Sequence, residues 1–148
     1  MDAAPAVTVV DQVTDALAAG LGRLVPQLSS SSAVPGRQEL QAIASSPATH
    51  LLVATDGDGA AVGMLTLAVF TIPTGLRAWI EDVVVDEGAR GGGVGRALVQ
   101  HALDTAFAAG ARTVDLTSRP SREAANRLYQ RMGFALRETN VYRFTQQD

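Results

Sequence analysis

The sequence contains no lysine and no cysteine; all twelve of its basic residues are arginine. Without lysine there is no P-loop nucleotide site, no pyridoxal phosphate Schiff base and no amine nucleophile. Without cysteine there is no thiol nucleophile, disulfide, iron–sulfur cluster or cysteine-ligated zinc. Charge is scarce as well: 18% of residues are charged, against about 25% in an average soluble protein. The net charge of −3 argues against nucleic acid as a main partner and favours a cationic small molecule. Long apolar runs are missing. The stretch Met64 to Ile72 is too short to span a bilayer. Asp2 and Pro5 interrupt the N-terminus, and no basic stretch precedes an apolar one, so no signal peptide is expected. These features together predict a cytoplasmic protein with no membrane partner.

What remains is an apolar chain of 148 residues, 47% of them hydrophobic, enough for one core and one domain. Residues 1–148 are therefore read as a single domain, with 1–5 as a flexible end. Ala6 to Val10 predicts a strand. Asp11 to Leu28 carries Ala16, Leu17, Leu21, Leu24 and Leu28 at helical spacing, with Gly20, Gly22 and Pro26 predicting a bend or an early stop. The segment Ser29 to Gly36 reads as a surface loop, and Arg37 to Ser45 as a short helix stopped before Pro47. His50 to Ala54, Ala61 to Thr71 and Leu76 to Val85 form an antiparallel meander. Its first turn is Asp56-Gly57-Asp58-Gly59, of residues that tolerate positive φ, and its second is Pro73-Thr74-Gly75. Arg96 to Ala109 predicts a helix stopped by Gly110, and Thr113 to Thr117 a strand. Ser121 predicts the cap of a further helix that ends at Met132-Gly133, with Glu123 in its first turn. Phe134 to Leu136 and Asn140 to Phe144 predict two closing strands. The order β-α-α-β-β-β-α-β-α-β-β is a mixed α+β sheet with helices on its faces.

A run of glycines between the third meander strand and the following helix calls for a physical reason. Gly91, Gly92, Gly93 and Gly95 lack Cβ atoms, so a ligand can come close to the backbone. The first helical turn leaves unpaired N–H groups, and with the dipole these suit a phosphate. Arg90 and Arg96 flank the loop and add positive charge. The plain alternative is a flexible connection. A dinucleotide fingerprint fits poorly, because the spacing is Gly91-x-Gly93-x-Gly95 and the loop follows an antiparallel meander. Asp115, about twenty residues on, keeps that alternative open.

The stretch Val83-Val84-Val85-Asp86-Glu87-Gly88-Ala89-Arg90-Gly91-Gly92-Gly93-Val94-Gly95 resembles the acetyl-CoA motif of the GNAT superfamily of N-acetyltransferases. Arg90, Gly93 and Gly95 meet its Arg/Gln-x-x-Gly-x-Gly/Ala core. A second block, Ser121 to Phe134, resembles the family helix that ends in Leu-Tyr-x-x-x-Gly-Phe, here Leu128, Tyr129, Gly133 and Phe134. Many members carry Asn seven residues before the Tyr, where this chain has Arg122; Asn126, one turn before Tyr129, is the candidate for that amide contact. The resemblance covers the chain in element order and is motif-specific from about Trp79 to Phe134. It implies a GNAT-like, mostly antiparallel sheet of six or seven strands with about four helices. It also implies acetyl-CoA as cosubstrate, no metal, and transfer of acetyl to a primary amine of a small molecule or peptide. The route would be direct attack through a tetrahedral intermediate.

Such a transfer needs a held CoA, a free amine, a donor for the thioester oxygen and a proton for the departing thiolate. The resemblance gives the pyrophosphate to Gly91, Gly92, Gly93, Val94, Gly95 and the flanking Arg90 and Arg96. The strand-like pantetheine arm falls to the backbone of Val83, Val84 and Val85, where a bulge or splay would free the polar groups. The N–H of Val83 or Val85 is the candidate donor to the thioester carbonyl. Tyr129 is the candidate acid, since a phenol of pKa about 10 is protonated at neutral pH; the alternative is a core tyrosine. Glu81 is the candidate base, in a segment similar to polyamine-type members, and Asp82 is the next option. By strand alternation the two point to opposite faces. The alternative for Glu81 is an exposed pairing with Arg77. His50 and His101 cluster with nothing, and Asp56 and Asp58 read as turn residues rather than calcium ligands. Family members often pair through their C-terminal strands, so a homodimer is expected. The alternative function is a non-catalytic acyl-CoA-binding sensor or interaction module.

Overall fold

The computed structural model describes residues 5–148. The expected loose end falls on residues 1–4, which lie outside the described residues, and on Pro5. The chain divides into two compact units, Met1–Thr117 and Ser118–Asp148.

The first unit runs β1 (Ala6–Val9), α1 (Asp15–Leu28), α2 (Arg37–Ser45), β2 (Thr49–Thr55), β3 (Ala61–Ile72), β4 (Gly75–Val85), a single 3-10 turn at Glu87–Ala89, α3 (Val94–Ala108) and β5 (Asp115–Leu116). The strands form one sheet in the order β1-β2-β3-β4-β5. The first four pair antiparallel and β5 joins β4 in parallel. The mixed α/β class and the meander are as expected.

Helix α1 starts later than its apolar spacing suggests because Thr14 caps it: the Thr14 hydroxyl accepts from the Leu17 N–H at 3.1 Å. It then runs unbroken through Gly20, Gly22 and Pro26. Gly20 is buried, and a Cβ there would stand 3.2 Å from that of Ala61, so the glycine serves close helix–sheet approach. Pro26 has no N–H, so α1 forgoes the bond from position 26 to the Gly22 carbonyl and still runs on to Leu28. Helix α2 is tied to the chain before α1 by side chains. Gln41 accepts from the Val13 N–H at 2.8 Å and donates to the Asp11 carbonyl at 3.0 Å. Arg37 donates to the Val13 carbonyl at 2.9 Å.

The two sheet faces bury different partners. On one, Leu51, Val53, Met64 and Val84 cluster with Leu21, Leu24 and Val25 of α1 and Leu40 of α2. On the other, Leu52, Leu65, Leu67 and Ile80 are buried along with Leu98, Val99, Ala102 and Ala106 of α3. Gly63 admits α3 to that face: a Cβ there would come 2.8 Å from the Val94 side chain and 2.9 Å from that of Leu98. At the β2–β3 turn the Asp56 carboxylate accepts from the N–H groups of Asp58 and Ala60 at 2.9 and 3.0 Å, which makes it the turn residue expected.

The second unit contains α4 (Glu123–Met132). Its N-cap is Arg122, with no capping side chain, rather than Ser121. The Asn126 amide donates to the Arg119 carbonyl at 2.9 Å and closes the entry to the helix. Gly133, at φ 105°, ends it in the left-handed region, and the Phe134 N–H donates to the Tyr129 carbonyl at 2.9 Å.

The strand count differs from the expected six or seven. The sheet has five strands, and Thr113 to Thr117 shrinks to Asp115–Leu116. Phe134 to Leu136 and Asn140 to Phe144 form no strand. Leu136, Val141, Tyr142 and Phe144 are 93%, 75%, 87% and 94% exposed. An apolar run supplies side chains suited to a strand, but a strand also needs a hydrogen-bonded neighbour, which these residues lack among the described residues.

Candidate active site

The centre of the first unit's site is a defect in the sheet. Met64 pairs with Val84 and Thr66 with Glu81, so Leu65 alone faces both Asp82 and Val83. That is a β-bulge on β4. Asp82 sits at φ 51°, the single described non-glycine residue at positive φ, and Asp tolerates that region better than most side chains. Strand β5 pairs with β4 at Trp79 and Ile80 alone. Past the bulge, no strand among the described residues pairs with the second edge of Val83 to Val85. Main-chain donors and acceptors there are open to an extended ligand.

The bulge also decides where the carboxylates lie. Residues opposite one another in an antiparallel ladder share a face. Glu81 pairs with Thr66 and Trp79 with Ala68, so both stand on the face of Met64 and Val84, the one α1 and α2 cover further along. Asp82, on the bulge itself, leaves the simple alternation. Both carboxylates are exposed. Arg77, the expected alternative partner of Glu81, instead reaches Asp115 at 3.7 Å and lies 5.7 Å from the Trp79 ring centre. Among the described residues Glu81 forms no ion pair.

The chain leaves β4 through Asp86, whose N–H donates to the Val62 carbonyl at 2.8 Å, and enters the 3-10 turn and then the glycine loop. Gly91 and Gly93 have φ of 86° and 81°. A Cβ at either would meet nothing within 4 Å. These glycines are therefore needed for backbone conformation first. Gly93 caps α3, and its carbonyl accepts the Ala97 N–H at 3.0 Å. The N–H groups of Val94, Gly95 and Arg96 precede that bond and have no backbone acceptor among the described residues. Val94 anchors the loop, buried under Gly63, while Arg90 and Arg96 are exposed and form no ion pair among the described residues. The arrangement is a set of convergent donors flanked by two guanidinium groups, which suits a phosphate.

In the second unit, Asn126 and Tyr129 are three residues apart on α4, hence on one face. The Asn126 amide is engaged with Arg119, as described above. Tyr129 is half-buried and meets Phe134 edge-on at 5.7 Å between ring centres. Burial pushes its phenol above the ordinary value, while the Arg122 guanidinium pulls it back in part. The proton therefore stays on the phenol through the whole physiological range.

One residue of this region had no sequence signal. Gln27, in the last turn of α1, donates to the Asp86 carboxylate at 3.0 Å and accepts from the Glu87 N–H at 2.9 Å. A lone Gln sixty positions away from its partner belongs to no pattern that spacing can reveal. Among the described residues no group of three or more His, Asp or Glu is placed to hold a metal ion.

A bulged sheet strand thus feeds a glycine loop and the open first turn of a helix. Comparison with known proteins gives the family. The profile of the "Acetyltransferase (GNAT) family" matches residues 23–134. Mycothiol acetyltransferase of Beutenbergia cavernae is 40% identical over 88 residues, which are 60% of this chain and 29% of that protein. Streptothricin acetyltransferase of Streptomyces lavendulae is 37% identical over 87 residues, 59% of this chain and 44% of that protein. A solved structure from Agrobacterium tumefaciens str. C58, assigned as an acetyltransferase, superposes with a TM-score of 0.81 at 29% identity, covering 95% of this chain and 99% of its own. The chain belongs to the GNAT family of acetyltransferases, whose cosubstrate is acetyl-CoA. It matches less than half the length of either curated relative.

Proposed function

We propose that the protein transfers the acetyl group of acetyl-CoA to a primary amine of a small molecule or peptide by direct attack. The observation that carries this reading is the bulge at Asp82–Val83, which frees the β4 edge just before the glycine loop opens α3. The freed groups of Val83, Val84 and Val85 take the amides of the pantetheine arm. The Val83 or Val85 N–H donates to the thioester carbonyl, where negative charge grows during attack. Gly91, Gly92, Gly93, Val94, Gly95 and Arg96 receive the pyrophosphate, with Arg90 beside them. Asn126 adds an amide contact to the cosubstrate.

Glu81 takes the proton of the attacking amine, directly or through water, with Asp82 as the second candidate. It is exposed and forms no ion pair among the described residues, so its carboxyl group is accessible to an acceptor. Tyr129 returns a proton to the departing thiolate; its phenol, with a pKa raised by burial, is protonated at neutral pH. In this scheme residues 1–148 act as a single catalytic domain in the cytoplasm. A cationic amine as acceptor is supported by the net charge of −3 and by Glu81, which forms no ion pair among the described residues. A homodimer is supported by the apolar surface of Leu136, Val141, Tyr142 and Phe144.

The experiment is release of free CoA from acetyl-CoA across a panel of cationic amines, with the acetylated product identified by mass. Amine-dependent release is expected. Tight binding of acetyl-CoA with no release for any amine would replace the enzyme by a binding module.

A further inference from the structure

The glycine loop is short of tethers. Its internal bonds are local: Ala89 N–H to the Asp86 carbonyl at 2.9 Å, Arg90 N–H to that of Glu87 at 3.4 Å and Gly92 N–H to that of Ala89 at 3.3 Å. None of them connects Glu87 to Gly92 with another element. Among the described residues a single side chain hydrogen-bonds this segment's backbone from outside, and it is Gln27.

The geometry fixes how Gln27 holds the loop. Asp86 is the N-cap residue of the 3-10 turn, yet its side chain caps nothing there. The orphan donor at the start of the turn, the Glu87 N–H, is met at 2.9 Å by the Gln27 carbonyl oxygen. The Asp86 carboxylate accepts from the Gln27 amide nitrogen at 3.0 Å. A backbone N–H can only donate and a carboxylate can only accept, so the two partners set the orientation of the Gln27 amide between them. On its other side Asp86 is bonded to Val62 of β3 at 2.8 Å. The point where β4 becomes the loop is thus fastened on one side to the sheet and on the other to the last turn of α1.

We propose that Gln27 is a positioning residue for the cosubstrate: by capping the 3-10 turn in trans it presets the glycine loop that leads into the free N–H groups of Val94, Gly95 and Arg96, where the pyrophosphate is received. The proposal rests on the assignment of that loop to pyrophosphate binding. It predicts that the cost of ordering the loop, already met in the free protein, reappears in the affinity for acetyl-CoA once the clamp is lost.

The test is a set of variants measured for the Kd and KM of acetyl-CoA, the acceptor KM and kcat. Gln27→Met keeps length and helix propensity and loses both bonds; the Kd and KM of acetyl-CoA should rise roughly fivefold, with acceptor KM and kcat unchanged. Gln27→Glu sets two carboxylates against each other and should weaken binding at least as much. Adding Asp86→Asn to Gln27→Glu restores both bonds with one direction reversed, since the new amide at 86 donates to the new carboxylate at 27 while the Glu87 N–H donates as before. Binding should then return to within about twofold of wild type. Wild-type affinity in Gln27→Met, or a double variant no better than Gln27→Glu alone, would overturn the proposal. Gly93→Asp separates this outcome from failure of the loop assignment. If it binds acetyl-CoA as wild type does, the assignment and the proposal fall together; if it loses binding while Gln27→Met does not, the clamp alone is wrong.

Discussion

In the proposed reaction Tyr129 gives a proton and Glu81 takes one, and the surroundings of the two residues differ. Tyr129 is held above its ordinary pKa of about 10 by burial, against a smaller opposing pull from Arg122. A group raised in the folded state contributes stability that is complete below its unfolded pKa and lost as pH rises through the folded one. Tyr129 should thus destabilise the fold only above about pH 10, and denaturant midpoints measured there should fall less steeply in Tyr129→Phe than in wild type. The same substitution keeps the ring against Phe134 and removes the donor. It should lower kcat by roughly 10² to 10⁴-fold with acetyl-CoA affinity little changed; full kcat would return Tyr129 to the role of a packing residue. Glu81→Gln should depress the rate most near neutral pH and least at high pH, where the amine is already free. A carboxylate that only binds the acceptor would raise its KM instead. The residues with roles to propose were legible because their types and spacing carry chemistry. Gln27 was not, because its meaning lies wholly in partners brought to it by the fold.

At the level of elements, two glycines make contrasting predictions. Gly63 lies under α3, and Gly63→Ala would drive a methyl into Val94 and Leu98. It should cost about 1–3 kcal/mol in denaturant unfolding, as overpacked cores do, and a variant as stable as wild type would show that α3 can shift freely. Gly93 faces open space at positive φ. Gly93→Ala should cost only the backbone penalty of roughly 1–2 kcal/mol. Gly93→Asp adds negative charge where phosphate is expected and should weaken acetyl-CoA binding at least tenfold, about 1.4 kcal/mol by calorimetry. The meander, its turns and the glycine loop could be read from sequence since alternation and turn residues are local signals. The bulge could be anticipated as a need at Val83 to Val85, but its exact carrier, Asp82 at φ 51°, could not, because register depends on both strands. The closing strands failed for the same reason: Phe134 to Leu136 and Asn140 to Phe144 have strand composition and no ladder.

For the molecule as a whole, no helix among the described residues is long and apolar enough to cross a membrane, and the apolar surface that stands out lies at Leu136, Val141, Tyr142 and Phe144. Light scattering should give the mass of two chains, and serine at Val141, Tyr142 and Phe144 together should give one; a single-chain mass in wild type would remove the dimer. Amide hydrogen exchange with and without saturating acetyl-CoA reads where the cosubstrate lies. Exchange should slow at two places in the first unit, the amides of Val83 to Val85 beside the bulge and those of Gly91 to Arg96 at the start of α3. Saturable binding that leaves both segments exchanging at their free rates, with protection elsewhere, would contradict that placement.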